Sequence, residues 1–297
     1  MKKSFARTIA SATLFLCCSV VTCFAASNDQ GLQPEPSAPA PNQTLSNQPT
    51  HNGVSFDRDY FTGYVTDTTS ILTSPVRWGS SDWITAAGIV GISVGLYTQD
   101  QKIQTWVHKN KTSTIDRLGD NATLVGFGAL TVPLLGGLYL YGYAADDPKA
   151  CSTVLLTTES FVLTGVFVQT LKFGTHRHRP YTGDPEHAWG GPGIINNGDH
   201  LSFPSGHASS AFAISTVIAT EYENSLVVPP LAYGVASLVA VNRVLHNAHW
   251  SSDIFVGSAI GYFTGKAVVK SHHNNTRFSL LPLMDGEHTG LAVTYNY

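Results

Sequence analysis

Three short stretches hold most of the residues in this chain that could do chemistry together. "LKFGTHRHRPY" (171–181) places Lys172 seven residues before Arg179, with Arg177 between them. "SFPSGHAS" (202–209) runs Pro204, Ser205, Gly206 and His207 in succession. "NRVLHNAHWSSDIFVG" (242–257) gives Arg243, then His249, then Asp253. Three cations beside apolar segments are costly to gather unless an anion joins them. A carboxylate four residues after a histidine, on one face of a helix, can hold one imidazole nitrogen and leave the other as a nucleophile or base. Cations, a bare helix N-terminus and two histidines, one of them oriented, are the parts needed for phosphoryl transfer, where positioning and charge stabilisation do most of the work. Composition leaves open whether they share a site or scatter over separate surfaces.

The elements must position them. Pro204 cannot continue a helix from upstream, Ser205 is a good N-cap, and Gly206 lets another group come close. The apolar run after it reads as a helix, so residues 205–207 form an anion-attracting N-terminus. Pro180 forces Arg179 out of helical geometry, which frees its guanidinium to turn back toward the helix ends. Apolar runs at 83–97, 121–144, 152–171, 208–220, 226–241 and 254–269 all read as helices. Gly88, Gly91, Gly95, Gly126 and Gly128 inside them suit close helix–helix contact. A span needs about 20 apolar residues. Most runs are shorter; 152–171 carries Glu159 and 121–144 carries Pro133. The lengths suit core helices of a compact bundle, with one or two touching a membrane. Glu159 reads as the structural partner of a buried cation.

The order and spacing Lys172-x6-Arg179-Pro180, Pro204-Ser205-Gly206-His207, and Arg243-x5-His249-x3-Asp253 closely resemble the three-part signature of the type 2 phosphatidic acid phosphatase / vanadium haloperoxidase superfamily. The resemblance covers roughly residues 150–270. It implies an all-α compact bundle of about six core helices with its site at the helix ends. It implies His249 as the nucleophile that takes the phosphoryl group, Asp253 as its orienting partner and His207 as the general acid. Lys172, Arg179, Arg243, Ser205 and the Gly206 amide would bind the phosphate oxygens. No metal and no other cofactor is implied for a phosphatase of this type; vanadate would inhibit it. The family usually has Ser before the third-motif Arg, and this chain has Asn242, which puts that one contact in doubt.

The remaining chain bounds the setting. Lys and Arg total 17 against 20 Asp and Glu, so nothing suggests a nucleic-acid partner. Charged residues are only 12%, about half the usual soluble share. Lys2, Lys3 and Arg7, then an uncharged apolar stretch ending in Cys23-Phe24-Ala25, read as a signal peptide over 1–25. Residues 26–53 read as a disordered linker rich in Pro, Gln and Asn. Helices of the bundle are expected over 54–150 and the catalytic core over 151–270. Cleavage would leave Cys151 as the one cysteine, expected as a packed residue rather than a nucleophile. The tail 271–297 has an Asp285-Gly286 turn signal between alternating residues, the pattern of a short hairpin. His176, His178, His187 and His200 crowd the first motif, but no Cys and no His-x3-His helix spacing supports zinc there.

The resulting expectation is a metal-independent phosphatase of mono- or diphosphate esters, acting through a phosphohistidine. It is expected in the cell envelope, periplasmic or membrane-associated, with the site outside the cytoplasm. Lipid phosphates are the expected substrates, with membrane contact, and soluble phosphate esters are a further option. The alternatives are a vanadium-dependent haloperoxidase, or a non-enzymatic envelope protein with a retired site.

Overall fold

The computed structural model describes residue 54 and residues 58–112, 128–194, 197–275, 278–285 and 288–295. The residues read as a signal peptide and a linker, and the first part of the 121–144 run, lie outside these residues. Eight α-helices are present among the described residues: α1 (Arg58–Thr73), α2 (Ser80–Tyr97), α3 (Asp100–Asn110), α4 (Gly128–Ala144), α5 (Pro148–Thr175), α6 (Gly206–Glu221), α7 (Val228–Leu245) and α8 (Ser251–Asn275). The described part of each expected run overlaps one of them, with 226–241 starting two residues before α7. The polar helices α1 and α3 are additional to the six. Strands β1 (Phe278–Asp285) and β2 (His288–Tyr295) pair antiparallel, Asp285 opposite His288, which is the hairpin expected of the tail.

Local chemistry sets the ends of the helices that carry the site. Asp147 caps α5 by accepting from the Ala150 amide at 2.9 Å, and Pro148 fills the first helical position. His176 ends α5 in a left-handed conformation, with its N–H on the Lys172 carbonyl. Ser205 caps α6, and Pro204 stands just before the cap.

A buried cluster of Leu156 and Leu163 from α5, Val217 from α6, and Val268 and Val269 from α8 forms a core. Burying side chains of this size stabilises by about 1.5–3 kcal/mol each. Helices α6 and α8 approach closely through Gly257, Gly261 and Gly265 of α8. A Cβ at Gly257 would stand 2.6 Å from the Ser205 carbonyl oxygen, and one at Gly261 only 2.1 Å from that of Ser209. The glycines that let α6 and α8 close-pack are therefore these three. Gly88, Gly91 and Gly95 have nothing within 4 Å of such a Cβ, because α2 buries none of its residues. Gly261→Ala is expected to destabilise the fold by about 1–3 kcal/mol or more, since backbone and not a movable side chain fills the space. Thermal unfolding would register it; an unchanged midpoint would contradict the close α6–α8 contact.

Cys151 packs at the α4–α5 contact, its Sγ 3.7 Å from the Tyr139 carbonyl oxygen. The crowded histidines have separate partners. His178 stacks on His200 at 3.9 Å and bonds Asp184 at 2.7 Å, while His176 bonds the Gly191 carbonyl at 2.8 Å.

Candidate active site

The three sequence stretches meet at one end of the bundle, where α5 and α7 finish and α6 and α8 begin. Lys172 lies in the last turn of α5, buried, and donates from Nζ to the Leu201 carbonyl. Its Cε is 3.9 Å from the place a Cβ would take on Gly206, so the ammonium stem lies against the α6 N-terminus. Arg179, extended as Pro180 requires, reaches the Gly198 carbonyl at 2.7 Å, the Ala248 carbonyl at 3.2 Å and the Leu201 carbonyl at 3.4 Å. Arg243 sits in the last turn of α7. Its carbonyl accepts from the Ala248 and His249 amides, which folds the chain directly from the arginine to the histidine. The Ser205 amide donates to the Asp253 carbonyl at 3.0 Å, joining the second stretch to the third.

His249 is placed otherwise than its spacing from Asp253 suggests. Helix α8 starts at Ser251, so His249 stands before the helix rather than on its face. Asp253 lies in the first turn, and its Oδ2 accepts from the Trp250 amide at 3.0 Å. An acidic residue in that position binds back to the backbone at the helix start. His249 Nδ1 is 3.8 Å from Asp253 Oδ2, beyond hydrogen-bond length. Ser202 stands between the two, its Oγ 2.5 Å from Asp253 Oδ2 and 3.5 Å from His249 Nδ1. The carboxylate thus holds the imidazole partly through a hydroxyl. With Nδ1 facing this pair, Nε2 is the nitrogen left for a substrate.

Asp253 is itself fixed by Arg177, whose Nη1 donates to Oδ1 at 2.6 Å. Arg177 is fully buried and also reaches Asp100 of α3 at 2.8 Å and Ser252 at 2.7 Å. Its guanidinium stacks among Tyr97, Trp189 and Trp250, 4.9–5.5 Å from the ring centres. Asp100 in turn takes the Ser251 hydroxyl and the Ser252 amide. Sequence reasoning noted Arg177 only as a cation between two others and did not single out Ser202 or Asp100.

The electrostatics follow from this packing. Burial, with the charges of Lys172 and Arg179, pushes the His249 imidazole down to about 3 against the opposing pull of Asp253. Burial, then Arg243, Arg179 and Lys172, pushes His207 down to about 4. Burial would raise Asp253, but the nearby His249 imidazole, the Arg177 charge and the Ser202 hydroxyl outweigh that and hold it below the usual carboxylate range. At neutral pH the site therefore holds two neutral imidazoles beside Lys172, two arginines and a helix N-terminus. All eight residues expected from the sequence — Lys172, Arg179, Ser205, Gly206, His207, Arg243, His249 and Asp253 — fall at this one end. Asn242 is buried beside Arg243, on the inner side of α7.

The arrangement is an α-helical bundle that gathers Lys172, two arginines and two histidines at its helix ends. The sequence model of the PAP2 superfamily matches residues 153–277. Among curated proteins, a lipid A 1-phosphatase of Porphyromonas gingivalis is 30% identical over 138 residues, 46% of this chain and 28% of that protein. A PA-phosphatase related-family protein of Dictyostelium discoideum is 32% identical over 130 residues, 39% of this chain and 47% of that protein. The matches thus span less than half the length of either relative. Among solved structures, LpxE of Aquifex aeolicus aligns with 23% identity and a TM-score of 0.46, over 58% of this chain and 94% of that one. A transmembrane PAP2 type phosphatidylglycerolphosphate phosphatase of Bacillus subtilis aligns with 16% identity and a TM-score of 0.45, over 74% and 98%.

Proposed function

We propose that this chain is a metal-independent phosphatase of the cell envelope that hydrolyses lipid phosphates through a phosphohistidine at His249. The observation that carries the reading is the convergence of Lys172, Arg179, Arg243 and the α6 N-terminus around two neutral histidines. His249 Nε2 attacks phosphorus and the bond to the leaving oxygen breaks. His207, protonated once the bound phosphate dianion offsets the surrounding cations, gives that oxygen its proton. Water then attacks the P–N bond, giving a proton back to His207 and releasing inorganic phosphate. The cations and the α6 amides hold the equatorial oxygens throughout. The names of the two curated relatives agree with this chemistry.

Membrane placement and a lipid substrate rest on surface chemistry. Helices α5 and α7 are long and apolar enough to cross a membrane. Large apolar side chains also face outward on α2 (Ile84, Val90), α4 (Leu134, Leu140) and α7 (Leu231, Leu238). An apolar surface of this extent favours lipid over water. The phosphate site stands at the end of these helices, where a lipid would present its head group. The signal-peptide reading of residues 1–25 puts that end outside the cytoplasm.

The test is a panel of phosphorylated lipids and soluble esters given to purified protein with EDTA, with added zinc or magnesium, and with vanadate. Hydrolysis is expected to survive EDTA and to be inhibited by vanadate. Loss in EDTA with restoration by metal would overturn the mechanism, and bromide oxidation by vanadate-loaded protein would favour the haloperoxidase alternative.

His207 supplies a sharper expectation. His207→Ala should slow release of a lipid alkoxide by about 10²–10⁴-fold and that of a nitrophenolate far less, since the latter leaves without a proton. Equal slowing of both would refute the acid role. A bound dianion also offsets the three cations, so the imidazole should titrate near 4 in the empty protein and higher with vanadate bound. Histidine-selective NMR follows this directly; an unmoved titration would count against the assignment.

A further inference from the structure

A second cluster of ionisable groups lies far from the phosphate site. Asp67 of α1, Glu159 of α5 and His272 of α8 each offer one ligand atom, and the three atoms lie within 4.8 Å of one another. His272 Nε2 is 2.8 Å from Glu159 Oε2 and 3.7 Å from Asp67 Oδ2. Asp67 is 2% exposed and Glu159 is fully buried. Glu159 thus has the cationic partner expected of it, but that partner is insufficient. Two buried carboxylates facing one imidazolium leave an excess negative charge, which is expensive in a buried setting. Two oxygens aimed into the cluster, Asp67 Oδ2 and Glu159 Oε1, have no hydrogen-bond partner. The other Asp67 oxygen is held by the Ser271 hydroxyl at 2.5 Å, which fixes the carboxylate's orientation. Gly63 of α1 faces the same space. A Cβ there would stand 3.4 Å from the His272 ring and 3.5 Å from Glu159 Oε1, so any longer side chain would enter the cluster.

From this geometry we infer that Asp67, Glu159 and His272 form a binding site for a divalent transition-metal ion, of the zinc or manganese kind. One such ion with neutral His272 cancels both carboxylate charges and gives the two orphaned oxygens a partner. One imidazole with two carboxylates suits these ions. Magnesium, which prefers oxygen ligands and retains its waters, suits a buried histidine poorly. A tetrahedral ion with bonds of about 2.1 Å holds its ligand atoms about 3.4 Å apart, and the two His272 separations, 2.8 and 3.7 Å, lie on either side of that value. The ion would tie α1 to α5 and α8. Its role is structural, because Glu159 and Lys172 are separated by about 20 Å along α5 at the helical rise. The inference does not depend on the phosphatase reading.

The test uses tag-free full-length protein, stripped of metal and then equilibrated with buffered zinc, manganese or magnesium. Elemental analysis is expected to find one zinc or manganese ion per chain and no retained magnesium. Cobalt substitution should give visible absorption bands of a histidine-ligated ion. Asp67→Asn and His272→Gln should each weaken binding by more than the ~10–100-fold that outer partners of a metal site cost. His273→Gln, an exposed neighbour on α8, and His249→Ala should both keep the ion. The bound ion should raise the unfolding midpoint while leaving turnover per folded molecule unchanged. A wild-type protein that retains no ion overturns the inference and leaves a shared proton as the neutralising charge. Undiminished binding by both Asp67→Asn and His272→Gln overturns it too. Should either variant fail to fold, the wild-type stoichiometry and cobalt spectrum still decide the matter.

Discussion

His249→Ala is expected to abolish turnover and covalent labelling together, with a loss on the order of 10⁶-fold, as for removal of a nucleophile in other covalent enzymes. The expectation follows from placement. His249 is buried, neutral above about pH 3, and held at Nδ1, so Nε2 is the ring nitrogen oriented for attack. The cations and the α6 N-terminus remain in the variant, so a nonhydrolysable phosphonate should still bind. Rapid-quench labelling with a radioactive phosphate ester checks both halves. Label trapped in His249→Ala at the wild-type level would remove this residue from the nucleophile's role.

Asp253→Asn carries the second large effect. Both carboxylate oxygens accept: Oδ1 from Arg177, and Oδ2 from Ser202 and the Trp250 amide. An asparagine must aim its NH2 group at one of these donors. Turning it toward Arg177 sets donor against donor inside a fully buried site. Turning it toward Ser202 makes the hydroxyl accept, which reverses the polarity offered to His249 Nδ1 and favours the wrong tautomer. It also leaves the Trp250 amide facing a donor. Either way the anion that stabilises an imidazolium is gone. A loss of kcat near ~10⁴-fold, with KM little changed, is expected by analogy with loss of the carboxylate in a Ser-His-Asp triad. Steady-state kinetics with a nitrophenyl ester would show it. A loss confined to KM would mean that Asp253 serves binding and not the histidine.

These two variants also show what the sequence could and could not tell. The placement of Lys172, Arg179, Ser205 and His207 at helix ends was legible in local signals: Pro180 after an arginine, a Ser cap before Gly206, and apolar runs of helical length. Local signals are written in contiguous residues. The His249–Asp253 link was legible as a spacing, but its geometry was not, because the helix begins at Ser251, between the two. Arg177, Ser202 and Asp100 had no local mark. Asp100 opens α3, whose sequence DQKIQTWVHKN is polar and lacks a long apolar run. Its partners Arg177 and Ser252 lie 77 and 152 residues onward. Such pairings exist only once α3, the α5–α6 connection and α8 have come together. The glycines erred in the same way. Those of α2 looked suited to close contact, yet the tight approach is made by Gly257, Gly261 and Gly265, because spacing alone does not say which helix has a neighbour.

The central claim is that the phosphoryl group visits His249 before it reaches water. Two in-line displacements at phosphorus invert the centre twice, whereas direct attack by water or alcohol inverts it once. The measurement is therefore stereochemical: transfer from a phosphate ester made chiral by oxygen isotopes to an acceptor alcohol, followed by analysis of the product's configuration. The double displacement predicts net retention. Net inversion would mean that no phosphohistidine forms on the pathway, and would contradict the role assigned to His249.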